Sequence, residues 1–215
     1  MPNNLIRWET TESIDIGLDM TLFNKLSITA DYYQKETRDI LLSLPIPYII
    51  GLNAPVQNAG VVENKGWEIG ITYRDKIGDF QYNVNFNLSD VKNKITDLRG
   101  QDQTGFIVHR EGYPISSIYG YVAEGYFQSE EEIANSPTQI GNVKPGDIKY
   151  KNMNGDNKIN NEDKVVIGSS IPRYTFGLNL GANYRGFDLS MLFQGVGKAD
   201  GYLDGPGTVS YTHLT

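Results

Sequence analysis

Residues 67–90 read Trp67-Glu68-Ile69-Gly70-Ile71-Thr72-Tyr73-Arg74, then Asp75-Lys76-Ile77-Gly78-Asp79, then Phe80-Gln81-Tyr82-Asn83-Val84-Asn85-Phe86-Asn87-Leu88-Ser89-Asp90. The apolar residues occupy odd numbers before the turn and even numbers after it. Strict alternation places them on one face of a pleated ribbon and the polar residues on the other. The short Gly-containing link makes the stretch a hairpin. Its polar face is mainly Asn, Gln and Thr rather than Lys and Glu.

The same pattern recurs on both sides. Ile14, Ile16, Leu18, Met20 and Leu22 alternate with polar residues up to a Phe23-Asn24-Lys25 turn, and Leu26, Ile28, Ala30 and Tyr32 resume the alternation. Phe176, Leu178, Leu180, Ala182 and Tyr184 lead through a Tyr184-Arg185-Gly186 turn to Phe187, Leu189, Met191 and Phe193. Hairpins are therefore expected at about 13–34, 67–90 and 174–194. Between them stand two long loops, about 35–63, rich in Pro and Gly, and about 91–172. In the second loop, Ser129 followed by Glu130, Glu131 and Glu132 resembles a capping box opening one short helix.

Short turns at one end and long loops at the other mark an all-β chain of antiparallel up-and-down strands, as in part of a transmembrane β-barrel. Strands of about ten residues suit a tilted bilayer crossing. Aromatic residues flank the turns (Phe23, Tyr73, Phe80, Tyr184, Phe187) and the far ends (Trp8, Tyr32, Tyr33, Trp67, Tyr174, Phe193), as two membrane interfaces favour. The alternative is a soluble, secreted β-sandwich that acts as a calcium-braced binding module, since alternation does not distinguish burial in protein from burial in lipid.

Composition narrows the function classes. Net charge is −7 with no basic patch, which argues against nucleic acid. There is no cysteine, so thiolate chemistry and disulfides are excluded. No apolar run approaches the length of a membrane helix. Residues 1–4 carry no signal-peptide pattern, so the chain is expected to be either cytoplasmic or an internal piece of a longer secreted protein. His109 and His213 are the two histidines, and neither falls in a catalytic pattern. No enzyme activity is expected.

One constellation suggests a ligand. Asn152, Asn154, Asp156, Lys158 (through its carbonyl), Asn160 and Asp163 match positions of a twelve-residue calcium loop. Asn stands at the first position, Asn157 where Gly is usual, and Asp163 where Glu is usual. With two firm carboxylates, calcium would be held weakly. The competing reading is a cluster of Asx turns that ties the loop together without metal.

Several segments, in order along the chain, resemble the SusC/RagA-type TonB-dependent transporters of the Gram-negative outer membrane. Asn4-Leu5-Ile6-Arg7-Trp8-Glu9-Thr10-Thr11 is similar to the family's N-x-L-K-W-E-T-T. Residues 30–42, running from Ala30-Asp31-Tyr32-Tyr33 through Lys35, Thr37 and Asp39 to Leu42, are similar to its DYY-x-K-x-T-x-D-L-L. Asn58-Ala59-Gly60 through Asn64-Lys65-Gly66-Trp67-Glu68 is similar to N-x-G-x-x-x-NKG-x-E. Gly146-Asp147-Ile148-Lys149-Tyr150, followed by Asn154-Gly155-Asp156 and Asp163, resembles another family block, and Pro172-Arg173-Tyr174-Thr175-Phe176-Gly177 with Phe187 to Gly195 resembles the late barrel signature.

The resemblance implies that residues 1–206 are a partial barrel from the C-terminal half of a large transporter, whose plug sits inside about 22 strands. It implies import of oligosaccharides or peptides across the outer membrane, energy relayed by the TonB complex through segments upstream, and a SusD-like surface lipoprotein over the long loops. Outer-membrane lipids would meet the apolar faces. The tail, 207–215, departs from the family pattern and is read as non-native, at least from residue 210.

Overall fold

Alternation of this strictness becomes a sheet when the ladder hydrogen bonds of each strand find a neighbour. In the computed structural model, which describes residues 6–43, 56–100, 105–201 and 203, six strands do so. They are β1 (Thr10–Leu22), β2 (Leu26–Ser43), β3 (Val56–Ile77), β4 (Phe80–Asp97), β10 (Tyr174–Tyr184) and β11 (Phe187–Gly197). They form one antiparallel sheet in the order β1-β2-β3-β4-β10-β11. β1 and β11 are its open edges, so the barrel is partial and not closed among the described residues.

The three hairpins are present, and their turns are tight. Phe23 and Asn24 take φ values of 55° and 53°, Gly78 takes 61°, and Arg185 and Gly186 take 47° and 87°. At Arg185-Gly186, positive φ at both residues of a two-residue link gives the turn twist that antiparallel strands favour. The strands run further than expected. β3 continues through Asp75, Lys76 and Ile77, so the second turn shrinks to Gly78-Asp79, and the third to Arg185-Gly186.

The expected loop at 35–63 is mostly strand. β2 and β3 remain paired from Lys35↔Asn64 through Glu36↔Glu63 and Thr37↔Val62, and again, beyond a register shift, from Ile40↔Gly60 to Ser43↔Val56. The shift coincides with Asp39, at φ 58°. An aspartate tolerates that conformation better than most side chains. Asn58 braces the irregularity: its amide nitrogen donates to the carbonyls of Asp39 (2.7 Å) and Arg7 (2.9 Å), and its oxygen accepts the Arg7 N–H (2.8 Å).

The described residues of the stretch 91–172 also form regular elements. β4 runs on to Asp97, and the rest forms two small sheets. One comprises β5 (Ile107–Val108), β6 (Ser117–Gly120) and β9 (Val165–Ser169); the other comprises β7 (Ala123–Tyr126) and β8 (Ile148–Tyr150). The expected helix is α1 (Glu130–Ala134), with Ser129 accepting the Glu132 N–H at 3.2 Å. Buried Phe127 and Ile159 centre this insertion, while Val62, Ile95 and Leu98 pack with Ile40, Leu42 and Ile115 where it meets the sheet. The tail, 207–215, lies outside the described residues.

Candidate functional site

Register sorts the sheet into rows, because directly paired residues share a face. On the apolar face one row is Ile16, Tyr32, Trp67, Asp90, Tyr174 and Gly197. The middle row is Met20, Ile28, Ile71, Phe86, Leu178 and Phe193, and the row at the turns includes Ile77, Phe80, Tyr184 and Phe187. Rings meet along the turn end: Phe80 lies 5.7 Å from Tyr82 and 6.4 Å from Tyr184, and Tyr73 lies 5.9 Å from Tyr82.

Three expected members of the aromatic belts do not belong there: Trp8, which precedes β1 and lies beyond the Thr10↔Arg38 pair, Tyr33 and Phe193. Tyr33 pairs with Gly66 on the polar face, and Phe193 sits in the middle row. The remaining belts, Tyr32–Trp67–Tyr174 and Phe80–Tyr184–Phe187, are ten residues apart along β3. Ten steps of ~3.3 Å at a tilt of ~40° give a band about 25 Å tall.

That band has no cover among the described residues. Ile16 is 67% exposed, Leu18 59%, Leu189 55% and Phe187 81%. Leaving side chains of this size in water forgoes roughly 1.5–3 kcal/mol each. A β-sandwich would lay a second sheet over this face, and none of the described residues does so. Beyond the Trp67 row the same face turns polar on β2 to β4, with Gln34, Lys65 and Lys92 in one row, where Ile14 is the apolar member on β1, and Glu12, Glu36, Glu63 and Lys94 in the next.

The opposite face is polar over the same height on β1 to β4 and β10, and carries two exposed apolar residues, Leu192 and Val196, on the edge strand β11. Its rows include Gly17, Asp31, Glu68, Ser89 and Thr175, then Asp19, Thr29, Gly70, Asn87, Gly177 and Gln194, then Thr21, Ser27, Thr72, Asn85 and Asn179. Acids concentrate on β1–β3, and uncharged amides fill β4 and β10. At the turn end a cavity of about 940 Å³ is lined by Lys25, Arg74, Gln81, Asn83, Asn183 and Asp188 among others. An Asn/Thr wall of this kind suits water and polar solutes.

The six residues of the calcium-like loop come together, but they bond to the loop itself. Asn152 accepts the Gly155 N–H (2.7 Å), Asn154 that of Asp156 (3.0 Å) and Asp156 that of Lys158 (3.1 Å). Asn160 accepts the Glu162 N–H (2.7 Å), and the other Asp156 oxygen accepts the Asn160 amide (3.3 Å). Fully buried Asp163 accepts the N–H groups of Met153 and Asn160, each at 2.8 Å. The Asn160 N–H, followed by those of Met153 and Asn154, holds the Asp163 carboxyl below the ordinary aspartate value. Asn157 takes the left-handed conformation, at φ 64°.

The all-oxygen donor set matches calcium in kind, but both carboxylates already serve the loop's own donors. Among the described residues no group of three or more His, Asp or Glu stands ready to hold a metal. The geometry is that of interlocked Asx turns.

The alternation missed a bidentate ion pair. The Arg173 guanidinium meets Asp90 with Nε to Oδ1 at 2.7 Å and Nη2 to Oδ2 at 3.0 Å, joining β4 to the residue just before β10. The signal was present, since Asp90 occupies an even position where the pattern calls for an apolar residue.

Comparison with known proteins agrees with this geometry. Residues 1–214 match the family model described as TonB dependent receptor-like, beta-barrel. The chain belongs to the TonB-dependent receptor family. It is 34% identical over 206 residues to TonB-dependent receptor P3 of Formosa agariphila, covering 89% of this chain and 21% of that protein. It is 27% identical over 207 residues to TonB-dependent receptor SusC of Bacteroides thetaiotaomicron, covering 87% and 19%. The chain thus spans about a fifth of the curated TonB-dependent receptors it matches. Among solved structures, the RagAB peptide importer in its open-open state shares the fold, with a TM-score of 0.73 at 22% identity over 90% of this chain and 21% of that one. The closed-closed state gives 0.70 at 24% identity, covering 89% and 21%. In this family setting the six strands are a sector of barrel wall, and the insertion between β4 and β10 extends from the end opposite the tight turns.

Proposed function

We propose that this chain is part of a TonB-dependent outer-membrane receptor that imports oligosaccharides or peptides. The observation that carries the reading is the uncovered apolar band, about 25 Å tall and edged by aromatic rows, backed by an Asn/Thr-rich polar face. The apolar face meets outer-membrane lipid, and the polar face lines the lumen. The insertion faces the cell exterior, where a SusD-like lipoprotein docks. TonB engages the receptor through segments beyond this chain. The likeness to SusC and to a peptide importer supports these two ligand classes.

The test uses the full-length receptor in its own cell. Deleting its gene should abolish uptake of fluorescent oligosaccharides or of fluorescent peptides, and a protonophore should block uptake in the wild type. Unchanged uptake of both classes in the deletion strain would contradict the proposal.

The loop at 152–163 is proposed to brace the insertion by its own hydrogen bonds. Calcium at about 1 mM, the range of weak extracellular sites, should leave its amide exchange unchanged. A shift reversed by a chelator would make it a metal brace instead.

A further inference from the structure

We propose that the cleft where β10 leaves β4 is a site for the phosphate group of an outer-leaflet lipid. This rests on the membrane reading above. β4 continues beyond Asp90, whereas β10 begins at Tyr174, the register partner of Asp90. A cleft of about 530 Å³ opens at this divergence.

Four cations line it: Lys92, Lys94, Arg173 and Lys198. Three carboxylates are at hand, and all are engaged: Glu63, the register partner of Lys94, is taken by Lys65. Asp90 is 7% exposed and takes both of its bonds from Arg173. Asp200 accepts the Ser169 N–H at 2.9 Å. Among the described residues Lys92, Lys94 and Lys198 have no carboxylate within ion-pair distance. The cleft therefore carries an excess of positive charge. Arg173 uses two of its five N–H donors on Asp90, leaving others for an oxyanion.

Height selects the ligand. Lys92 lies on the apolar side, one row beyond Trp67 and Tyr174, in register with Lys65. Two residues along a strand are about 6.6 Å, which sets the Lys92 ammonium just outside the aromatic belt, at the depth of lipid headgroups. Its aliphatic stem can run along the apolar face while the charge stays in the polar layer. Tyr174 is flanked by the Arg173 guanidinium at 5.2 Å and the Lys198 ammonium at 5.8 Å, which gathers both cations at the belt. Lys65, by contrast, is neutralised by Glu63 at 2.7 Å. A compact anion held at this depth matches Lys and Arg donors.

The test reconstitutes the full-length receptor in phosphatidylcholine nanodiscs doped with lipid A carrying one phosphate, or with its dephosphorylated form. Retained lipid is read by native mass spectrometry. The wild type should retain the phosphorylated lipid about tenfold or more over the dephosphorylated one, and Lys92→Gln/Lys198→Gln should abolish the preference. Lys92→Arg/Lys198→Arg, which keeps the charge, should preserve it. Equal retention of the two lipids by the wild type would overturn the proposal. So would loss of the preference in a folded Arg pair, or displacement of the lipid by millimolar inorganic phosphate, which would make this a free-phosphate site. Heat-modifiable gel migration separates the two readings: a wild type without it contradicts the barrel, whereas a folded wild type without lipid preference contradicts the site alone.

Discussion

The ring of Tyr33 lies across the backbone of Gly66, its register partner on the polar face. A Cβ on Gly66 would stand 2.5 Å from the Tyr33 Cζ and 2.7 Å from the Asp90 carbonyl oxygen. One obstacle is a ring and the other is main chain, so neither yields by a simple rotation. Gly66→Ala should destabilise the folded barrel by about 1–3 kcal/mol, the range of overpacking. Gly181 provides the contrast, since the three atoms nearest a Cβ there all belong to the Asn83 side-chain amide, which can swing away. Gly181→Ala should cost less than about 1 kcal/mol. Urea midpoints of the full-length receptor in liposomes decide, and equal shifts would contradict the packing described.

Asn58 stitches three segments at the point where β2 changes register. Asn58→Ala removes its bonds to Arg7 and Asp39, at a cost of about 1–2 kcal/mol. Limited proteolysis should then cut faster near residues 6–10 and near Asp39, with the turn at Gly78 unaffected. Unchanged cleavage near Asp39 would show that the bulge holds without its clamp.

Asp163 and Glu132 give the insertion a defined response to acid. Asp163 is held low first by the Asn160 N–H, and Glu132 first by the Gln128 N–H and then by Lys149. Each has a folded pKa below its unfolded one. Its stabilisation is therefore complete above the unfolded value, near 4, and fades as pH falls through the lower folded value. Amide protection in the 150–165 loop, corrected for intrinsic rates, should drop between about pH 5 and pH 2.5. Asp163→Asn should weaken protection already at neutral pH and flatten the acid response. Protection that rises on acidification would contradict this sign.

How much of this was legible in the sequence varies along each strand. Within the band, on the proposed reading, one face meets hydrocarbon and the other water, so Ile69, Ile71 and Tyr73 alternate cleanly with Gly70, Thr72 and Arg74. Beyond the Trp67 row both faces are wet. Residues 34–38 then read Gln-Lys-Glu-Thr-Arg, and the period of two vanishes although the ladder continues. The period of two therefore gives no sign of strand at 35–43 and 56–63. The bulge at Asp39 shifts the parity again. The small sheets of the insertion escaped because two- to five-residue strands are too short to show a period, and Ile118 to Tyr119 shifts register within one of them.

For the candidate site, the polar wall could be read directly from Asn83, Asn85 and Asn87. The loop at 152–163 was found, and its oxygens proved to bind backbone donors. The cation cleft was out of reach, because Lys92 and Lys198 meet only through the pairing of β4 with β10 and β11.

The most direct test of the membrane-facing assignment places the same charge on opposite faces at the same depth. Ile71 lies in the middle row of the apolar face, and Asn85 lies one step away on the polar face, opposite Thr72. In the full-length receptor refolded into liposomes, Ile71→Arg should lower stability by about 2–4 kcal/mol, the cost of arginine on the lipid face near the midplane. Asn85→Arg, in a wet lumen, should cost less than about 1 kcal/mol. Equal losses, or a larger loss at Asn85, would contradict a wall with lipid on one side and water on the other.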